Sequence, residues 1–354
     1  MKKNQMCEDQ KRHRYILMRW QQYEKLFLPS IDGRLIQSSL TIHKSTSIKG
    51  KIFHKILESK TSIRILEQFS IVSYEEPKRF GSFRWKEWKN QALKILDINE
   101  GWVSFSFPQN EDRRFVAILL DNNAQARGFA KVALDEKTKT LFQNEVNGLR
   151  YFSQIKLKHF CVPSVLFEGE FEGAYYFIQS LIPHKTNYYS NFNDKNWIEL
   201  VNEIISSSIS HETLRTQPWW TKLKTMSTPT VNLIPFLESE VTESIQVCNT
   251  HGDLGPGNIR FQNNNFWIYD WEGFNKQAPI MTDYLSFVIE HFIKSPFLSY
   301  SNKANKILYY LSENIPYASK CNIALALAYL STSRNWTLND KMSLELCKAL
   351  LRRN

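Results

Sequence analysis

The stretch NTHGDLGPGNIRFQNNNFWIYDW, Asn249 to Trp271, decides how this chain is read. Two short apolar runs, NIRF and FWIYD, flank Gln262, Asn263, Asn264 and Asn265. Strand-like runs closed by turn-forming residues predict a β-hairpin. Polar groups stand at both of its ends. His251, Asp253 and Asn258 lead in through a loop rich in Gly and Pro, and Asp270 leads out. Folding the hairpin returns Asp270 to the side of Asn258.

The surrounding chain sets the frame. It has 354 residues, 42% hydrophobic and 14% aromatic, enough for a sizeable core and one to three domains. A net charge of +10 favours anionic partners such as nucleotides. The excess forms no long basic block and no nucleic-acid motif stands out, so no nucleic-acid partner is expected. Lys11 to Arg14, just ahead of Tyr15 to Trp20, read as part of a helix docked on its own protein. Five scattered cysteines without a C-x-x-C pair suit reduced thiols in the cytoplasm. Met1 to Arg14 has no apolar signal core, and no apolar run approaches the ~20 residues that span a bilayer. A cytoplasmic protein without a transmembrane segment is expected. Nothing in the sequence fixes an oligomeric state.

Along the chain, residues 1–100 read as an added α/β extension. KLFLPSIDGRLIQ suggests a strand, a turn and a strand, while GKIFHKILESK and SIRILEQF suggest helices. FRWKEWKNQALKIL puts Trp85, Trp88, Ala92, Leu93 and Leu96 on one helical face. Residues 101–182 then give three strands (GWVSFSF, RRFVAILLD, RGFAKVAL), one helix (EKTKTLFQNEVNGLRYFSQ) and two strands within PSVLFEGEFEGAYYFIQSLIP. From 183 to 354 helical periodicity dominates, apart from the opening hairpin.

Phosphoryl transfer needs a carboxylate for the attacking hydroxyl, oxygen ligands for Mg2+ and a cation on the phosphates. Asp253 with Asn258 five positions on, then Asp270 at the end of a strand, has the layout of a kinase catalytic loop and metal-binding strand end. His251, Gly252, Asp253, Asn258 and Asp270-Trp271-Glu272 resemble the aminoglycoside phosphotransferase and choline kinase family, which has a protein-kinase-like fold. The resemblance implies an α+β, bilobal fold: a small five-stranded antiparallel N-lobe with one helix and a larger, mainly helical C-lobe, here with an N-terminal extension. It further implies that Asp253 is the catalytic base, that Asn258 and Asp270 bind Mg2+, and that His251 and Asp283 support the loop. Glu272 is left open between metal, substrate and solvent.

The same resemblance requires a lysine on the third strand and a glutamate on the helix. Lys131 and Glu145 stand there, and their ion pair would aim Lys131 at the phosphates. Gln179, Ser180 and Leu181 fall where main-chain groups would meet the purine of ATP or GTP. Gly252 in place of Arg, and the short segment from Asp270 to Asp283, argue against a protein kinase and for a small hydroxylated acceptor: a sugar, amino sugar or amino alcohol. One feature departs from the pattern. The turn FPQNEDRRF has no glycine to cover phosphate, and Glu111 and Asp112 would repel it unless Arg113 and Arg114 offset them. A non-catalytic kinase-like binding protein and a metal-dependent hydrolase built on Asp253, His251 and Asp270 are the alternatives.

Overall fold

The computed structural model describes residues 15–20, 23–29, 35, 38, 39, 66, 68–108, 113–183, 186–189, 192, 195–262, 265–333 and 338–352. The chain forms two compact units, Met1–Phe142 with Ser164–His184 and Gln143–Pro163 with Lys185–Asn354. The first is an antiparallel sheet with helical cover; the second is mainly helical. The fold class is α+β.

In the first unit the strands are β1 (Tyr15–Trp20), β2 (Tyr23–Pro29), β3 (Val72–Ser73), β4 (Gly101–Ser106), β5 (Arg114–Asp121), β6 (Ala126–Ala133), β8 (Val165–Phe171) and β9 (Ala174–Gln179). Among the described residues they form one sheet in the order β3-β1-β2-β4-β5-β6-β9-β8. The five strands expected from residues 101–182 are its β4, β5, β6, β8 and β9. Their turns follow local chemistry. Asp121 Oδ1 accepts the amides of Asn123 and Gln125, closing the β5–β6 turn. Glu172 and Gly173, at φ 49 and 80, make the tight β8–β9 turn whose twist matches its strands.

The sequence reading set residues 1–100 apart, yet β1, β2 and β3 lie in this same sheet. Leu26 pairs with Ser106 and Phe27 with Phe105. Buried Glu24 accepts the Lys78 and Arg79 amides at 2.9 and 3.0 Å. Tyr15–Trp20, expected as a helix, is a strand. The run is apolar on both sides: Tyr15 and Leu17 enter one core cluster, Ile16 and Met18 another. That alternation of faces has period two, but a continuous apolar run hides it. Leu35, expected in a strand, is helical; Leu66 and Gln68, in SIRILEQF, are helical as expected. GKIFHKILESK lies outside the described residues, as do Glu111 and Asp112.

α1 (Trp85–Ile95) buries Trp85, Trp88, Ala92 and Leu93 on one face, as its periodicity predicts. Trp88 is fully buried and its ring lies 5.7 Å from both Phe115 and Tyr176. Ala130 and Val132 of β6 join this cluster. Alternation along the strand therefore directs Lys131 to the other face. α2 (Glu136–Ser153) begins in the first unit and continues in the second from Gln143.

The second unit holds β7 (Phe160–Cys161), β10 (Asn187–Tyr188), β11 (Ser210–Glu212), β12 (Ile245–Thr250), β13 (Ile259–Gln262), β14 (Asn265–Ile268) and β15 (Asn275–Pro279). Its helices are α3 (Asn196–Ser206), α4 (Pro218–Lys224), α5 (Ile234–Glu240), α6 (Thr282–Ile293), α7 (Tyr300–Asn314), α8 (Lys320–Thr332) and α9 (Asp340–Leu351). The sheets run β10-β13-β14-β7 and β11-β12-β15. The hairpin is β13 and β14, with Ile259 opposite Ile268. α8 buries Ile323 to Leu330 on every side and is the centre of the unit. Ser299, Ser319 and Asn339 cap α7, α8 and α9 by accepting an amide three residues on. No helix among the described residues is long and apolar enough to cross a membrane.

Candidate active site

β12 delivers the chain into a loop that only glycine can make. Gly252 has φ 81, and a Cβ there would stand 2.2 Å from the Gly273 carbonyl oxygen. Asp283, at the start of α6 and expected to support this loop, turns its carboxylate to it. Its Oδ2 accepts the His251 amide at 2.7 Å and its Oδ1 the Gly252 amide at 2.9 Å. Burial pushes the Asp283 pKa up; His251, Thr250 and the two amides pull the other way. His251 is fully buried. Its Nε2 lies 2.9 Å from the Tyr269 carbonyl and its Nδ1 3.4 Å from the Asp253 amide. The tautomer with the proton on Nε2 satisfies both contacts, so the ring joins the loop to the end of β14. It packs against Trp271, ring centroids 4.6 Å apart.

Asp253 follows at the surface of this rigid loop. The carboxyl is raised from 3.8 to about 7, first by crowding that strips water, then by the charge of Asp270, Glu290, Glu272 and Asp283. It remains open to solvent, so these charges are partly screened. Asn258 closes the turn Pro256–Asn258. Its Nδ2 donates to the Asp253 carbonyl at 2.7 Å, and its own carbonyl accepts the Tyr269 amide at 3.3 Å. Tyr269 Oη adds a bond to the Gly257 carbonyl. The hairpin thus sets Asn258 across from Tyr269, one residue short of Asp270.

Asp270 sits at φ 67, ψ 51, the left-handed region. For a non-glycine residue this costs roughly 1–3 kcal/mol and recurs where a side chain must be aimed. The aim is visible: carboxylate oxygens of Asp270, Glu272 and Glu145 all lie within 4.8 Å of one another. Glu145 and Glu272 are buried. Three hard oxygen donors in one cluster fit Mg2+, which prefers carboxylates and water. Glu145 is thereby brought to Asp270 within the second unit, a grouping the spacing did not reveal.

Lys131 is buried on β6, between Val116 and Phe177 of its neighbours, with Nζ 5.5 Å from the Phe142 ring centroid. Gln179 is buried at the end of β9. The Ser180 amide donates to the Ser164 carbonyl at 2.8 Å, and Ser180 Oγ accepts the Ser164 amide. That amide is engaged within its own unit. Leu181 follows in irregular backbone.

A pocket of about 410 Å3 adjoins the loop of Asp253 and Asn258 at Pro256, lined further by Tyr189, Phe192, Phe287, Glu290, His291, Lys294 and Ser295. Glu290 Oε2 reaches the open side of Gly255. Sequence reasoning missed Glu290 and His291, which belong to no motif and stand on an otherwise apolar helix. Their signal is position: Glu290 follows Asp283 by seven and Phe287 by three, on one side of α6. Trp219 and Trp220 are buried in the core, Trp219 against Tyr329.

No protein-family model and no curated protein matches the chain. Among solved structures it is similar to a spectinomycin phosphotransferase in complex with ADP and spectinomycin: TM-score 0.46, 14% identity, 75% of this chain and 98% of that one. An amicoumacin kinase in complex with AMP-PNP and Ca2+ gives 0.38 and 12%, over 70% and 86%. A glucosamine kinase in complex with glucosamine, ADP and phosphate gives 0.29 and 8%, over 71% and 88%. The chain resembles these phosphotransferases and kinases at a distance, and its functional reading rests on its own residues.

Proposed function

We propose that this protein is an ATP- and Mg2+-dependent phosphotransferase acting on a hydroxyl of a small molecule in the cytoplasm. The observation that carries it is the loop geometry: Asp253 at an open surface on the loop held by Gly252, His251 and Asp283, Asn258 bonded to that loop, and the carboxylates of Asp270, Glu272 and Glu145 converging at the end of the hairpin. The acceptor oxygen bonds to the γ-phosphorus, the bond to the departing nucleoside diphosphate breaks, and the hydroxyl proton passes to Asp253. A base that titrates near neutrality suits that transfer. Asn258 and Asp270, helped by Glu272 and Glu145, would hold Mg2+, which when bound neutralises phosphate charge. Lys131 is the proposed phosphate-gripping cation, and GTP can replace ATP in the same chemistry.

The metal-dependent hydrolase alternative asks His251 for chemistry, and both of its ring nitrogens are already engaged. The test is thermal stabilisation by Mg-ATP followed by an acceptor-dependent assay. Asp253→Ala should keep nucleotide binding and lose phosphoryl transfer by about 10²–10⁴-fold. Full activity in that variant would remove Asp253 as the base. Nucleotide binding with no transfer to any hydroxyl, in the unaltered protein, would leave the non-catalytic reading standing.

A further inference from the structure

The pocket beside Asp253 has the chemistry of its occupant written on its walls. At about 410 Å3 it matches the ~300–1,000 Å3 of small-molecule sites. It belongs to the proposed active site, because Pro256 opens the turn that carries Asn258 and the Glu290 charge acts on Asp253. Four of its lining residues, Tyr189, Phe192, Phe287 and His291, are flat rings; the others are Pro256, Glu290, Lys294 and Ser295. His291 lies on Phe192 at 3.8 Å between centroids and 7° between planes, and Phe287 is parallel to Phe192 at 6.3 Å and 9°. Tyr189 is pinned by its amide to the Ile259 carbonyl at 3.1 Å, so that wall is tied to the hairpin.

Charge on these walls is spent internally. Glu290 forms an ion pair with Lys294, one helical turn on. Burial, then the Lys294 charge, pulls the His291 pKa down, so this ring is neutral near pH 7. A polycationic amino sugar needs several free carboxylates, and among the described residues the pocket lining offers one, Glu290, already paired. A polyhydroxylated sugar needs a dense set of polar partners, and among the described lining residues those outside the Glu290–Lys294 pair are His291 and Ser295.

We propose that the acceptor is a neutral hydroxylated compound with an aromatic or similarly flat apolar body, held against Phe192, Phe287 and His291 with its hydroxyl toward Asp253. This rests on the phosphotransferase reading and narrows its acceptor away from sugars and amino sugars. The hydroxyl oxygen gains the phosphoryl group, the nucleoside diphosphate leaves, and the proton goes to Asp253.

The experiment uses the full chain with Mg-ATP. Saturation-transfer NMR and product mass are measured for benzyl alcohol, 2-phenylethanol and 4-hydroxyphenylethanol, against glucosamine and kanamycin. The aryl alcohols should bind and be phosphorylated, with kcat/KM at least about tenfold above the amino sugars. His291→Ala should raise their KM about three- to tenfold with kcat held, and His291→Phe, which restores a stacked ring, should bring KM back. Preference for glucosamine or kanamycin overturns the inference. So does failure of all three aryl alcohols to bind while Mg-ATP still binds. If Mg-ATP itself does not bind, the phosphotransferase reading falls, and the acceptor inference falls with it.

Discussion

Gly252→Ala tests whether close backbone approach fixes the catalytic loop. At φ 81 a side chain costs roughly 1–2 kcal/mol from local crowding alone. The added Cβ would also lie 2.2 Å from the Gly273 oxygen, where ordinary contact is 3.4–4 Å. Loop and turn must then part by about 1 Å, adding ~1–3 kcal/mol of overpacking. The sum is about 2–5 kcal/mol. Gly173→Ala isolates the first contribution: its φ is 80 and a Cβ there meets nothing within 4 Å. At roughly 2–4 °C per kcal/mol, Gly173→Ala should lower the first unit's midpoint by about 2–8 °C. Gly252→Ala should lower the second unit's midpoint by about 4–20 °C. Differential scanning calorimetry reads both. In the surviving folded protein the Gly252 to Asp283 bond, now 2.9 Å, lengthens and Asp253 shifts. A ~1 Å displacement there lowers kcat about 10²-fold. If Gly252→Ala melts no lower than Gly173→Ala does relative to the unaltered protein, and kcat stays within about twofold, close approach is not what holds the loop.

Three further outcomes follow from the same geometry. In metal-free protein Asp253 keeps its proton to about pH 7, against 3.8 without the fold. The folded state therefore binds the extra proton between those values, and stability declines as pH rises through that window; denaturation across pH 4–8 should show Asp253→Asn flattening the decline. Mg2+ should stabilise the second unit by about 2.7 kcal/mol at a hundredfold excess over Kd and so raise its melting midpoint, and Asp270→Asn should abolish that gain; persistence of the full shift would remove Asp270 from the proposed metal site. Trp88→Ala deletes a fully buried ring at the centre of the first unit and should destabilise that unit by about 3–5 kcal/mol in urea, leaving the second unit's transition in place.

The legible parts of this chain were those where one residue type answers one geometric need. The asparagine-rich turn between NIRF and FWIYD marked the hairpin, and α1 showed its face because Trp85, Trp88, Ala92 and Leu93 recur at helical spacing. β1 was misread because both of its faces are buried, which removes the alternation that identifies a strand. β12 gave little signal, since its polar Asn249 and Thr250 are buried for the sake of the loop that follows. Asp283 is expected from the resemblance to support the loop; the folded chain shows how, its carboxylate accepting the His251 and Gly252 amides. Glu145 stood out in sequence as a partner for a lysine, while its proximity to Asp270 and Glu272 depends on tertiary packing that no spacing encodes. Glu290 carried no signal apart from its place on an otherwise apolar helix.

The pairing of β2 with β4 bears on how the chain can be cut. A fragment begun at residue 101 would keep the proposed catalytic residues and lose the neighbour of β4. Its exposed border would offer unpaired amides and carbonyls alongside Phe105, now covered by Phe27 and Trp85. Such borders recruit strands from other molecules. β2 thus shields that border against self-association, and a chain trimmed to begin at residue 101 should aggregate.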